Sequence, residues 1–567
     1  MQTTQTPPDS AIAGYRLSPQ QQRLWRLQQR YPGHPFRASL RLKSTAPYEG
    51  ARLKSAVQRL LDRHEILRTT FPTLQGMTLP LQVIADTLSS EVVLMRHHGS
   101  TVPGEAAASK LQHLAEQPFD WVKGPLFQVH WVQQATHEEL LFNVSALCAD
   151  GATLSLLAQE FQQFYRESPQ QDEDSPLQYA DLAEWQAELL EGDDTAAGRS
   201  YWRRSSGLAQ LVRQLPLEQP TGSPHFQPKH HALALSAPET QALYHWSAQQ
   251  GVTADEVCLA VWQILIARLT QQYSLTLGYS CNARQHYEEL ATAVGLLTRD
   301  LPLSIQLQPT QSFKAAVEQV HSALEDIKPW QDYFDWEQVQ SPAEWFPISF
   351  GVEAVPEVSP PLSTLAAIAT LEPFTLKLVC QPAPDTLTLD WLYDANRLDR
   401  AAVQQIQSHW HTLLTAALAA PEAAIAQLPL LSRAEQQTLL VDFNQATTAP
   451  PRYSSLHQWF EAQVTQTPDQ PAIRFEGECL TYCQLNSRAN QLAQTLQTQG
   501  VVPETVVAVM MPRCLDWVIA ILGVLKAGGA YLPLDPHLPT ERLQSICHGA
   551  AVAQVLTQPE WQDRIPG

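Results

Sequence analysis

Apolar positions follow two rhythms along this chain, and the change from one to the other marks its most informative point. In residues 51–67 (ARLKSAVQRLLDRHEIL), Leu53, Ala56, Val57, Leu60 and Leu61 recur every three or four positions. That spacing puts them on one helical face. An extended stretch is expected around 80–95 and a helix near 104–117. At 126–132 (LFQVHWV) the period becomes two, with Phe127, Val129 and Trp131 on one side and Gln128 and His130 on the other. The turn-like Ala135-Thr136-His137-Glu138 and the buried-strand run LLFNV (140–144) complete a predicted β-hairpin. Residues 152–165 return to the helical period, with Leu154, Leu157, Ala158, Phe161 and Tyr165 in register. Asp150-Gly151 therefore sits in a tight strand-to-helix junction, where two rigid elements present a loop into a cleft.

Beyond it, residues 166–178 read as a polar, acidic surface loop, followed by helices at 179–192 and 196–204. The segment 215–230 carries Pro216, Pro220, Pro224 and Pro228, and reads as a linker between two lobes. Helices follow at 238–250 and 254–270, strands near 274–280 and 346–354, a strand pair at 374–380 and 387–393, and a helix at 399–419. A second boundary covers 421–455 and contains a short helix at 433–441. After it, strand 506–510, helix 516–526 and strand 530–534 form a βαβ unit, with Gly528-Gly529 ending the helix. Trp517, Ala520, Ile521, Val524 and Leu525 are expected on that helix's packed face. No repeat of 20–50 residues and no low-complexity tract is present.

The 567 residues are 44% hydrophobic and 17% charged, enough for a large core. Fifteen tryptophans require apolar pockets, which points the same way. A net charge of -20 supplies no basic footprint for phosphates, so nucleic acid is excluded as a partner and proteins or small molecules are expected. The eight cysteines are scattered without metal-ligand spacing, so reduced thiols and no metal are expected. Residues 1–13 lack a signal-peptide pattern, and the apolar run 517–525 is too short to span a bilayer. A cytoplasmic location without membrane association is the expectation.

Several short segments share an order and spacing: Ser18-Pro19-Gln20-Gln21-Gln22-Arg23-Leu24-Trp25; Arg63-His64-Glu65-Ile66-Leu67-Arg68-Thr69-Thr70-Phe71; Tyr179-Ala180-Asp181-Leu182-Ala183-Glu184-Trp185; and Val294-Gly295 with Leu301-Pro302-Leu303. Together they resemble the condensation domains of nonribosomal peptide synthetases. The resemblance implies an α/β fold of two chloramphenicol-acetyltransferase-like lobes in a V, an N-lobe at 1–175 and a C-lobe at 176–430. It also implies a tunnel in which an acceptor amine attacks a donor thioester. Most of these segments serve as scaffold landmarks.

The resemblance places the active-site motif at Ser145-Ala146-Leu147-Cys148-Ala149-Asp150-Gly151. Asp150 and Gly151 match the family pattern, while Ser145 and Ala146 stand where the family has two histidines. An alanine methyl neither donates, accepts nor titrates. Cys148 is a poor substitute base, its thiol having an ordinary pKa of about 8.5. The family role of the aspartate is structural, an ion pair with an arginine, and Arg284 in Asn282-Ala283-Arg284 occupies the matching stretch. No catalytic residue is assigned. His97-His98 and His230-His231 lack a following Asp-Gly and are set aside. Leu297-Thr298-Arg299-Asp300 and Trp330-Gln331-Asp332 also depart from the family pattern, so the tunnel loops are re-specified on a kept scaffold.

After a linker at 431–455, residues 456–567 resemble the start of an adenylation domain, an acyl-CoA-synthetase-like α/β subdomain. Leu456-His457, Leu480-Thr481-Tyr482-Cys483-Gln484-Leu485 and the segment 525–536 (LKAGGAYLPLDP) carry the likeness. The family's phosphate-cradling loop is absent, so the ATP site is expected to be incomplete and adenylation is not expected. The implied partners are peptidyl carrier proteins with phosphopantetheine-tethered substrates, other synthetase modules and a trans-acting tailoring enzyme. Three functions follow in order: a docking platform with little amide-forming activity, an active condensation enzyme, and a fragment without activity.

Overall fold

The computed structural model describes residues 14–565 apart from 35, 75, 99–110, 112, 135–136, 168–175, 193–194, 206–207, 221–224, 338–343 and 446–453. It divides into two compact units, Met1–Asp442 and Phe443–Gly567.

In the first unit, the strand Arg37–Ser44 buries every second residue and lies next to Glu138–Ser145, which is buried along its whole length. They are the second and third strands of a five-stranded sheet ordered Leu362–Thr370, Arg37–Ser44, Glu138–Ser145, Phe127–Gln133, Leu94–His98. The hairpin forms as the alternation predicts, with Trp131 opposite Leu140; of its turn, Ala135 and Thr136 lie outside the described residues. The helix Gly50–Arg63 buries Leu53, Ala56, Val57, Leu60 and Leu61, the five residues its period singles out. Leu154, Leu157, Ala158 and Phe161 of the helix Gly151–Arg166 join the same core. The stretch 80–95 is not uniformly extended: a short helix, Ser90–Val93, separates the strands Val83–Ile84 and Leu94–His98. Ser89 caps that turn by accepting from the Glu91 N–H. The expected helix at 104–117 falls largely outside the described residues, although 113–116 are helical.

A six-stranded sheet follows, ordered Pro228–Ala234, Leu387–Asp394, Leu376–Pro382, Ile348–Val352, Ser274–Asn282, Thr298–Gln306. The helices Ala254–Thr270, Phe313–Ile327 and Arg400–Ala419 share its core, with Trp262, Trp391 and Trp410 meeting edge to face. Ile348, Phe350, Leu376, Leu378 and Cys380 belong to this core. Side chains alternate along a strand, so Ser349, Gly351 and Lys377 are left on the opposite face, which also carries the buried Val379 and Leu392.

Two features were not apparent in the sequence. The strand Leu362–Thr370 pairs antiparallel with Arg37–Ser44, so the chain returns to the first sheet after building most of the second. The end of the 215–230 linker is an edge strand, Pro228–Ala234, paired with Leu387–Asp394. A proline is tolerated there because it opens an edge strand.

The second unit carries the βαβ pattern: Val506–Met510 lies between Ala530–Leu534 and Gln554–Thr557, all parallel. The connecting helix Leu515–Ala527 ends at Gly528. Its buried positions are Leu515, Ile519, Ala520, Gly523, Val524 and Ala527, so the packed face is rotated from the expected one, and Trp517, Ile521 and Leu525 are only partly covered. Among the described residues no helix is long and apolar enough to cross a membrane.

Candidate functional site

The strand Glu138–Ser145 ends at a turn, Ala146 to Cys148, and the next helix starts at Gly151. Every side chain from Ser145 to Asp150 is fully buried. The backbone of the loop is pinned at Ser145, whose N–H donates to Leu126 O at 2.9 Å, and at Cys148, which donates to Ser145 O at 2.8 Å. Burial pushes the Cys148 thiol far above its usual range, which removes it as a base or nucleophile.

Asp150 caps the helix and organises the loop. Its Oδ1 accepts the Thr153 N–H at 2.9 Å. Its Oδ2 accepts from Arg284 Nη1 at 2.8 Å, from the N–H groups of Leu297 and Thr298 at 2.9 and 3.0 Å, and from Thr298 Oγ1 at 3.0 Å. Burial alone would raise this carboxyl's pKa. The Arg284 charge and the backbone donors outweigh it and hold the group below the usual carboxylate range. Arg284 directs its other donors to Ala293 O, Thr153 Oγ1 and Gly295 O. Neither side chain of this pair is left available to a substrate.

The sequence landmarks converge on the loop as braces. The Gln21 amide donates to Leu147 O at 2.9 Å. Ser18 Oγ lies 2.8 Å from the Tyr179 hydroxyl, which donates to Leu296 O at 2.7 Å. Arg63 and His64 both bind Glu160 on the helix that begins at Gly151. At Gly295, φ is +150° and a Cβ would lie 2.0 Å from the Tyr179 ring, so the close approach requires glycine.

The two histidine pairs sit in other settings. His97 Nε2 is 3.1 Å from His130 Nδ1 across adjacent strands, and burial lowers the pKa of His130 to about 4. His230 lies 3.3 Å from Asp390 on the edge of the second sheet. Among the described residues no cluster of His, Cys, Asp and Glu is arranged to hold a metal.

A cavity of about 320 Å³ borders the loop's partners, lined in part by Arg23, Thr298, Arg299, Asp300, Asp332 and Trp336. Segments 297–300 and 330–332 both contribute to it. Arg299 ties them by donating to the carbonyls of Gln331 and Asp332 at 3.2 and 3.0 Å.

Glu353 is a residue that sequence reasoning missed. Its carboxyl lies against Gly151, where an added Cβ would fall 2.5 Å from the carboxyl carbon and from Oε2. Burial raises its pKa to about 7, opposed by Lys377 and reinforced by Asp150, Asp390 and Asp300. The available signal was the alternation Ile348-Ser349-Phe350-Gly351-Val352-Glu353, which places Glu353 in line with Ser349 and Gly351.

Comparison with known proteins places this geometry in a family. The condensation-domain model matches residues 12–345, and the model described as AMP-binding enzyme matches 460–566. Chondramide synthase cmdD of Chondromyces crocatus is 30% identical over 552 residues, covering 91% of this chain but 14% of the relative. Tyrocidine synthase 3 of Brevibacillus parabrevis is 28% identical over 577 residues, 98% of this chain and 9% of the relative. The chain thus spans a small part of these relatives' length. A holo four-domain nonribosomal peptide synthetase bound to AMP and glycine superposes with a TM-score of 0.77 at 18% identity, over 98% of this chain and 44% of that one. The X-domain from teicoplanin biosynthesis gives 0.63 at 20% identity, over 76% of this chain and 99% of that one. These likenesses agree with the two-lobed chloramphenicol-acetyltransferase-like fold. The chain belongs to the condensation-domain family of nonribosomal peptide synthetases, and continues into the N-terminal part of an AMP-binding domain.

Proposed function

We propose that the condensation-like unit is a docking platform, binding carrier-borne substrates or a tailoring enzyme and forming little or no amide. The observation that carries this reading is the state of the motif loop. Its only ionisable side chains are Cys148, whose thiol is buried, and Asp150, which is fully engaged by Arg284, backbone N–H groups and Thr298. Amide formation requires the attacking amine to lose a proton while the thiol leaves. General acid–base help in such a step is worth typically about 10²–10⁴-fold. Ser145 and Ala146, at the positions of the family's two histidines, provide no titratable group for it. In this reading Asp150 and Arg284 are the structural pair that keeps the loop folded.

The partners that fit are peptidyl carrier proteins, whose phosphopantetheine arm brings the substrate, other synthetase modules, and a trans-acting oxygenase or similar enzyme. Fold likeness supports the last: the X-domain in its complex with OxyB from teicoplanin biosynthesis superposes with a TM-score of 0.62 at 20% identity. Titrating a fluorescently labelled, aminoacyl-loaded carrier protein with the full chain tests the platform. Saturable binding with the loaded carrier unchanged is expected. Absence of binding at concentrations where modules of a synthetase associate would overturn the reading.

A further inference from the structure

The cavity of about 320 Å³ is walled by the helix Pro19–Arg30, by Arg199 of the helix Thr195–Ser205 and by the segment Asp332–Glu337, while no residue of the motif loop 145–151 lines it. Among the described residues four arginines line it, and three are already matched: Arg23 with Glu372 at 3.2 Å, Arg26 with Glu337 at 2.7 Å and Arg299 with Asp332 at 3.7 Å. Arg199 is the exception. It is half-buried and has no ion-pair or hydrogen-bond partner among the described residues. Its helix is tied to the segment that carries Tyr333, since Trp202 donates to Trp330 O at 2.7 Å and Tyr201 stacks on Trp330 at 5.3 Å. Gln20 is the second exception. It lines the same cavity at 6% exposure, and neither its amide oxygen nor its amide nitrogen has a partner. A buried amide with both ends unsatisfied costs free energy until a complementary group meets it.

We propose that this cavity binds a small N-acylated amino acid that carries a free carboxylate. The Gln20 amide is the complement of another amide, accepting its N–H and donating to its C=O. Arg199 presents a planar guanidinium that a carboxylate meets in two parallel hydrogen bonds. One unmatched cation among paired charges suits a monoanion better than a phosphate dianion. Phe334 and Trp336 supply aromatic wall for an apolar side chain, and the volume is at the small end of ligand pockets, roughly 300–1,000 Å³. The group recognised is a free acid with a blocked amine, which an aminoacyl thioester on a carrier does not offer. The site is therefore separate from the platform reading and does not rest on it.

The test titrates the full chain calorimetrically with three probes: N-acetyl-L-phenylalanine, its methyl amide, which lacks the charge, and 3-phenylpropanoate, which lacks the amide. Wild type should bind the acid in the submillimolar range and each of the other two about tenfold more weakly. Arg199→Met should erase the preference for the acid over the methyl amide while leaving affinity for the methyl amide unchanged, and Arg199→Lys should keep part of that preference. Gln20→Leu should erase the preference for the acid over 3-phenylpropanoate, with circular dichroism confirming that each variant folds. Inorganic phosphate should not displace the acid. No binding of the acid at millimolar concentration, equal affinities for the three probes, a preference that survives in Arg199→Met, or displacement by phosphate as effective as by the acid would each overturn the proposal.

Discussion

Asp150 and Glu353 face the same loop with opposite electrostatic outcomes, and each makes its own prediction. Asp150 has a guanidinium and three N–H donors, so its folded pKa is depressed. Its stabilising contribution is complete above the unfolded value of about 4 and is lost as pH falls through the lower folded value. Asp150→Asn or Arg284→Ala strands the other partner in a buried site. Each should lower stability by on the order of 3–5 kcal/mol in denaturant titrations. An unchanged melting temperature would show that the pair does not hold the loop. Glu353, raised to about 7, works in the other sense. The folded chain retains a proton that the unfolded chain releases near pH 4.3, so this group's effect on stability becomes less favourable as pH rises from about 4 to 7. Glu353→Gln should therefore gain stability relative to wild type across that interval, and a gap independent of pH would contradict the assignment. Asp150 and Arg284 could be paired from sequence because each sits in a short segment resembling the family's. Glu353 could not, because Gly151 becomes its neighbour only once strands distant in sequence have assembled.

The elements around the loop act as a frame with identifiable joints. The helix Pro19–Arg30 is started by a capping box between Ser18 and Gln21, and the same two side chains also reach Tyr179 and the Leu147 carbonyl. Gln21→Leu removes the donor to a buried carbonyl, and should cost about 1–3 kcal/mol. The loss should appear as faster amide exchange in residues 146–149 before any change elsewhere; uniform loss of protection would show that Gln21 supports the whole unit instead. Elements with a clean period were legible in the sequence: the helix Gly50–Arg63, the hairpin through Trp131 and Leu140, and the βαβ unit around Leu515–Ala527. The strand Leu362–Thr370 was not. Its run LSTLAAIAT has no strict alternation, and its partner Arg37–Ser44 is too distant in sequence for any local signal to connect them.

Across the whole molecule, the two units hold separate cores. The first contains the two sheets and their helices, while the second is built around Val507, Val509, Ala520 and Val524, with Leu480 and Leu485 in a neighbouring cluster. Calorimetry of the full chain should give two transitions, and Asp150→Asn should shift only the larger. A single transition displaced as a whole would mean that the units unfold together. Whether the motif loop forms amides at all is read most directly by intact-protein mass spectrometry. The full chain would be mixed with donor and acceptor carrier proteins, both loaded, and the acceptor followed for the added mass of a new amide, alongside the Ser145→His/Ala146→His variant. A platform yields no product from wild type above the rate without protein, while both carriers remain loaded. Product formed by wild type well above that background would contradict this, and would mean that the loop catalyses condensation without an imidazole.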